Sequence, residues 1–488
     1  MRILRQKLHV LLTSILGLLL SWPLLVAFPI NGGDALWVAQ SSRALVTCAR
    51  DDVWSKCPGT YQFGWLQHAP AIFLAWKGLS DDVIVFILTL INLLAFAWLL
   101  FVLVKKFKVE NGQTWLLLAC VLLGPLYAFS VYSFSEMLTF VLLAILVIRV
   151  AENKSLLSIV LLTFIISSSR ETAFATVLPV VVAIFIVKSE DIKTVVKKTL
   201  PILMSSFAGL LAVFVFNIWK YGSIANDHYA DPIRRVPGVG LKLRNFVAIW
   251  ISPGGGVLPF WFLGGVVTVV VLLLAIRLWR SNRTRAIAAA ILLLSLVFQT
   301  ALLSAWYAPF GWVTWGPRLI MPVVGSVLIT NFVLFPELIQ RLIEFVRYRY
   351  LLVASLSVVT YFSAVSNVGF ILDRTATLQW FSPPLLPGCP EIANIEINQE
   401  YYWECALKFV PWQLGPTLWD MGLQQVTRGW AVVFGLFIVA ITIGIFRDSQ
   451  STRLAMMTEP PANEGIFDKA ASIGRMKAGS SGKGTPTA

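Results

Sequence analysis

Val83-Ile84-Val85-Phe86-Ile87-Leu88-Thr89-Leu90-Ile91-Asn92-Leu93-Leu94-Ala95-Phe96-Ala97-Trp98-Leu99-Leu100-Phe101-Val102-Leu103-Val104 runs without a charge from Asp82 to Lys105. At about 1.5 Å per residue, a helix of this length crosses the roughly 30 Å hydrocarbon core of a bilayer. Lipid cannot satisfy free backbone groups, so a spanning segment is either a helix or a strand of a closed barrel. Barrel strands alternate apolar and polar residues over about ten positions. This run is longer and continuous, so it reads as a helix. Comparable runs recur near 8–28, 114–131, 136–150, 155–169, 172–188, 199–219, 257–278, 286–305, 319–335, 350–370 and 429–446. The pattern predicts an all-α integral membrane protein with about twelve transmembrane helices.

Composition agrees. Hydrophobic residues make up 57% of the 488 and charged residues 13%, with a mean hydropathy of +0.77. A water-soluble domain could not cover that much apolar surface. The start resembles a signal peptide, with Arg2, Arg5 and Lys7 before an apolar run. Trp22-Pro23-Leu24-Leu25-Val26-Ala27-Phe28 carries that run past signal length, and no small-x-small cleavage site follows, so it reads as a retained first helix. The net charge of +14 is a signature shared with nucleic-acid binders. In a membrane protein it reads as anchoring charge, with membrane lipids and not nucleic acid as the partner.

The basic clusters Arg2/Arg5/Lys7, Lys105/Lys106/Lys108, Lys193/Lys197/Lys198, Arg277/Arg280/Arg283/Arg285 and Arg341/Arg347/Arg349 fall between alternate spans. The positive-inside rule then puts them and both termini in the cytoplasm of a multi-pass protein, here read as one of a bacterial cell membrane. One polytopic domain, 1–446, is expected, with a polar, disordered cytoplasmic tail at 447–488. Long extracytoplasmic loops at 29–80, 220–256 and 371–428 carry Trp, Pro and Gly clusters, which suit short interfacial helices and ordered turns. Cys48 and Cys57 share the first of these loops and Cys389 and Cys405 the last, while Cys120 lies in a span. Two local disulfides in an oxidising compartment are expected, four free thiols being the alternative. No Cys/His metal spacing occurs, and His9, His68 and His228 are the only histidines.

Three segments stand apart from the apolar runs. Gly33-Asp34 follows the first span. Trp250-Ile251-Ser252-Pro253-Gly254-Gly255-Gly256-Val257 precedes a later one. Trp306-Tyr307-Ala308-Pro309-Phe310-Gly311-Trp312-Val313-Thr314-Trp315-Gly316-Pro317-Arg318-Leu319-Ile320-Met321-Pro322 opens another. In these motifs, their order and their placement, the chain over about residues 1–370 resembles the GT-C superfamily of polytopic glycosyltransferases. The resemblance implies a polyprenyl-phosphate-linked sugar donor, a glycan, lipid or protein acceptor, and an active site on the extracytoplasmic face. Asp34 is followed by Ala35 where some members carry a second acidic residue, and the last outer loop with its Cys pair has no counterpart. Sugar and acceptor therefore stay open.

The chemistry asks for few groups. A lipid phosphate leaves without protonation but needs cations to hold the developing charge. The acceptor hydroxyl needs one carboxylate to take its proton. A glycoside hydrolase would need two carboxylates. Asp34 is the expected base, with a helix cap as its bland role. Arg318 is the expected phosphate clamp, with an interfacial snorkelling Arg as the alternative. Arg234 and Arg235, with Lys242 and Arg244, form an outer basic cluster that suits either the donor phosphate or lipid headgroups. Glu136, Arg170 and Glu171 open helices at the outer face, where a carboxylate is either a cap or a wall of the site. His68, Asp51 and Asp52 are further candidates in the first outer loop. No cofactor is required for certain, and a divalent metal is admitted. A secondary transporter or lipid flippase, and a noncatalytic envelope-assembly scaffold, are the rival readings. Transporters carry repeated halves with a midplane site, which this sequence lacks. No Walker motif is present, which argues against an ATP-driven pump.

Overall fold

A computed structural model describes residues 34–50, 65–107, 112–131, 135–169, 171–189, 191–221, 224, 236, 238–252, 255–306, 317–347, 349–372, 432–433, 435–443 and 445. Among these residues the chain is mostly helical and forms no strand. Helices α1 (Asp34–Arg50) and α2 (Trp65–Trp76) precede α3 (Asp81–Phe107), which contains the uncharged run from Val83. Asp81 and Asp82 lie in its first turn and Lys105 and Lys106 in its last, the charge order that a helix dipole favours. There follow α4 (Gly112–Leu122), α5 (Pro125–Phe129), α6 (Ser135–Ala151), α7 (Leu156–Ser169), α8 (Glu171–Lys188) and α9 (Ile192–Tyr221). After them come α10 (Val239–Ile251), α11 (Val257–Phe260), α12 (Phe262–Arg277), α13 (Arg283–Ser304), α14 (Met321–Leu334), α15 (Pro336–Arg347) and α16 (Tyr350–Leu372). Helical residues recur within 432–445.

Four helices among the described residues are long and apolar enough to cross a membrane: Asp81–Phe107, Ile192–Ile218, Phe262–Arg280 and Arg283–Ser304. Met321–Leu334 and Pro336–Val346, joined at a 94° bend, make a fifth if they form one span. Gly112–Leu122, Leu156–Ser169, Ala173–Lys188 and Tyr350–Val365 are apolar but shorter. The expected span at 8–28 and the tail 447–488 lie outside the described residues.

Two expected spans are each broken once. The stretch 114–131 divides into α4 and α5 at Gly124-Pro125, where proline supplies no N–H to continue the ladder. The stretch 257–278 divides at Trp261, whose backbone leaves the helical region (φ −142°, ψ 52°). The two breaks repair each other. The Trp261 indole Nε1 donates to the Cys120 carbonyl at 2.5 Å, and the side chain is almost completely buried. A Cβ on Gly124 would lie 2.4 Å from Trp261 Cδ1, and one on Gly264 2.2 Å from Nε1. Two glycines thus form the slot for the ring, and a backbone acceptor finds a donor where water is absent.

The helix ends sort by charge. At one end Lys106 Nζ meets Glu152 Oε1 at 2.8 Å, and the Lys188 ammonium donates to the Ala151 carbonyl. Gln113 Nε2 donates to the Pro336 carbonyl at 3.0 Å, and Arg285 forks onto Glu337 at 2.9 and 3.1 Å. These contacts gather the ends of α3, α6 and α8 with the starts of α4, α13 and α15, and most of the basic clusters with them. At the opposite end α6, α8 and α14 begin and α7 and α13 finish.

Close packing uses small residues. α7 and α9 meet through Ser167 and Ser206, 2.6 Å apart between hydroxyls, and a Cβ on Gly209 would lie 2.8 Å from the Phe164 carbonyl. Such contacts let apolar helices approach where no hydrophobic drive separates helix from lipid. The core centres on α6 and α14, which are buried nearly all round. A separate small core joins Val38, Ala39 and Val46 of α1 and Ala71 and Ala75 of α2 to Ile84, Val85 and Leu88 of α3.

Candidate functional site

Pro317-Arg318-Leu319-Ile320 forms the turn that leads into α14, with the Met321 N–H donating to the Pro317 carbonyl at 3.0 Å. Glu136 is the second residue of α6. The two helices run side by side in the same direction, so both N-termini sit at the end away from the basic clusters. There Arg318 Nε lies 2.9 Å from Glu136 Oε1. The Glu136 carboxylate is fully buried and the Arg318 side chain is 9% exposed. The contact lies off the axis of a straight hydrogen bond, so it acts as an ion pair. Ser135 Oγ donates to Glu136 Oε2 at 3.4 Å, and one turn along, the Thr139 and Ser169 hydroxyls are 3.4 Å apart. The helices are held close just behind the pair. A Cβ on Gly325 would fall 2.4 Å from Cε2 of Phe140.

Two residues that stand out separately in the sequence thus meet. Burial and pairing do not fit a snorkelling Arg318, whose head would reach water. Glu136 is in the first turn of α6, where a carboxylate suits the dipole, and also meets a full cation. Isolated buried charges are costly, so each makes the other tolerable. Thr139 and Ser169 are missed by sequence reasoning. The run Ser167-Ser168-Ser169 at the end of an apolar stretch is the signal that points to them.

Other polar groups collect at the same end. Gln299 Nε2 donates to Thr176 Oγ1 at 3.3 Å, and Trp250 Nε1 to Thr300 Oγ1 at 3.2 Å. Asn245 Nδ2 reaches the Ser304 carbonyl at 3.4 Å, and the Val236 N–H the Ala305 carbonyl at 3.0 Å. These bonds dock α10 and the segment before it on the last turns of α13. The Ser-Pro-Gly-Gly-Gly motif has a structural part. Gly255 and Gly256 N–H both donate to the Ser252 carbonyl, and a Cβ on Gly256 would sit 2.6 Å from Ser252 N. That turn stands between α10 and α11.

Asp34 is the first residue of α1. α1 rests on the first turns of α3, where Arg43 Nη2 meets Asp81 Oδ1 at 2.7 Å, so its helix belongs to the same end as the ion pair. His68 lies on α2 and Glu171 opens α8. Asp51, Asp52, Arg170, Arg234, Arg235, Cys57, Cys389 and Cys405 lie outside the described residues. Cys48 is in a disulfide, and Cys120 is a buried free thiol. Among the described residues no three His, Cys, Asp or Glu side chains gather as a metal set.

No family model, curated protein or solved structure matches the chain. The arrangement itself holds a planar cation against a buried carboxylate. A guanidinium so oriented binds phosphate more selectively than a mobile ammonium.

Proposed function

We propose that this chain is a GT-C type membrane glycosyltransferase with about twelve transmembrane helices. It moves a sugar from a polyprenyl-phosphate donor to a glycan, lipid or protein acceptor on the extracytoplasmic face. The observation that carries this reading is the buried Arg318–Glu136 pair at the end of the bundle away from the basic clusters. Positive-inside orientation makes that end extracytoplasmic. A transporter would hold its polar site near the midplane between repeated halves, whereas this pair sits where α6 and α14 begin.

In the proposed reaction, Asp34 takes the acceptor proton as the acceptor oxygen bonds to the anomeric carbon. The bond from that carbon to the phosphate oxygen breaks on the opposite face, so configuration inverts. The charge released stays on the lipid phosphate, held by Arg318 with help from Arg234 and Arg235. Glu136 is then a positioning residue that orients Arg318. Arg170, Glu171, His68, Asp51 and Asp52 are candidates for the walls.

The test is Asp34→Asn in purified protein supplied with donor lipid. A general base lost in this way lowers transfer by about 10²-fold or more while donor binding persists. Asn caps a helix about as well as Asp, so a purely structural Asp34 would leave transfer near the wild-type rate and end the assignment.

A further inference from the structure

α15 lies across the basic end after the 94° bend at Phe335. It turns Leu338, Ile339 and Ile343 into the core and leaves Arg341 and Phe345 exposed. A helix with opposed apolar and charged faces lies in the membrane interface instead of crossing it. Aromatic and basic side chains mark the same level. Arg349 stacks on the Phe345 ring at 3.9 Å and Arg283 on Trp279 at 5.6 Å, and Tyr350 and Leu351 are almost fully exposed.

Directly inward of α15 is a cleft with a cavity volume of about 150 Å³. α4, α12, α15, α16 and the helical residues of 432–445 form its walls, with Leu116, Ala119, Val266, Ile343, Val353 and Ile441 among the lining. The polar side chains among the lining are hydroxyls, and that of Thr442 is turned back to the Ile438 carbonyl at 2.7 Å. Such a wall excludes water and favours hydrocarbon. The rim is cationic. Of the acids on α15, Glu337 pairs with Arg285, and Glu344 accepts from the neutral Gln340 amide and keeps its charge; Arg341 and Arg349 are exposed.

We infer that this cleft holds one acyl chain of an anionic glycerophospholipid from the leaflet at the basic end, its phosphate lying against Arg341 and Arg349. The apolar wall sets the class of the tail, and the excess of arginine (Arg285, Arg341 and Arg349) over acid (Glu337 and Glu344) sets the sign of the headgroup. This lipid lies at the opposite end from the proposed donor site, so its binding stands independently of the glycosyltransferase reading.

The test uses full-length protein in nanodiscs containing phosphatidylglycerol with a photoactivatable acyl chain, followed by peptide mapping. Label is expected on α15, α16 and 432–445. It is lost in Val353→Trp and in Ala119→Phe, which fill the cleft from opposite walls. Preference over phosphatidylcholine falls by about fivefold for each of Arg341→Gln and Arg349→Gln. If either filling variant fails to fold, competition by excess unlabelled phosphatidylglycerol in wild type must remove the same label. Label spread evenly over lipid-facing helices overturns the proposal, since bulk lipid does that. So does label that survives cleft filling or competition, and so does equal labelling by phosphatidylcholine. Cross-linking of peptides from 447–488 into the cleft, with the lipid probe excluded, would overturn it too and assign the groove to the chain's own tail.

Discussion

At the basic end Arg285 meets Glu337 with side chains 29% and 57% exposed, and Lys106 meets Glu152 with both 30% exposed. At the other end Arg318 meets Glu136 at a similar distance with the carboxylate sealed from solvent. The first two pairs can exchange protein for water at small cost, so they tie helix ends together and do little more. The third has no such exchange. A membrane helix bundle that only needed to stay folded could fill that position with apolar side chains at no loss, because buried ion pairs are often no better than packed hydrocarbon. Keeping charge there is therefore an argument for chemistry.

The largest effect should come from separating these roles. Arg318→Ala leaves the buried Glu136 without its counter-charge, and should cost about 3–5 kcal/mol. The double variant Glu136→Leu/Arg318→Met removes both charges and should recover most of that stability in detergent thermal melts, yet show no sugar transfer. Arg318→Lys keeps the charge but not the planar fork and should lose much of the donor turnover. Wild-type transfer by the double variant would reduce the buried pair to the same status as the surface ones.

Next come substitutions at the close contacts. Gly325→Val places atoms where the Phe140 ring now lies and should cost about 1–3 kcal/mol, relieved when Phe140→Leu is added. Trp261→Phe removes the donor to the Cys120 carbonyl, and should cost about 1–3 kcal/mol by leaving an acceptor unmet in an apolar setting. Unchanged melting of either variant would mean that these contacts carry little of the packing energy.

The smallest effect belongs to the basic end. The bond from Lys106 pulls the Glu152 carboxyl below its ordinary value more than partial burial lifts it. The folded form is thus favoured with Glu152 ionised. That contribution is complete above about pH 5 and fades as pH falls below about 4, through the depressed folded value. Glu152→Gln should remove this slope from a stability-against-pH curve, at a cost under about 1 kcal/mol at neutral pH. A cost as large as that of Arg318→Ala would erase the contrast between the two ends.

Much of the helix layout is legible in the sequence because uncharged runs in lipid admit one local answer. The run at 83–104 returns as α3 and that at 136–150 as α6, with ends shifted by a few residues. The breaks are less legible. Gly124-Pro125 is a local stop signal that length alone overrides, and the break at Trp261 depends on its ring finding a slot between Gly124, at the break between α4 and α5, and Gly264 of α12. Glu136 and Arg318 each stand out as charges in apolar surroundings. Their pairing is not legible, because it depends on α6 and α14 packing in parallel through Gly325 and Phe140.

The small core shared by α1, α2 and the start of α3 is separate from the main one. In folding terms that separation predicts a foldon that opens at a lower free energy than the bundle. Amide exchange should show α1 losing protection before α6 and α14. Asp34 is the first residue of that unit. On the proposed function, a temperature or detergent step that melts this unit alone would displace Asp34, the proposed base, while Arg318 stays paired with Glu136, and turnover should fall well before the fold is lost.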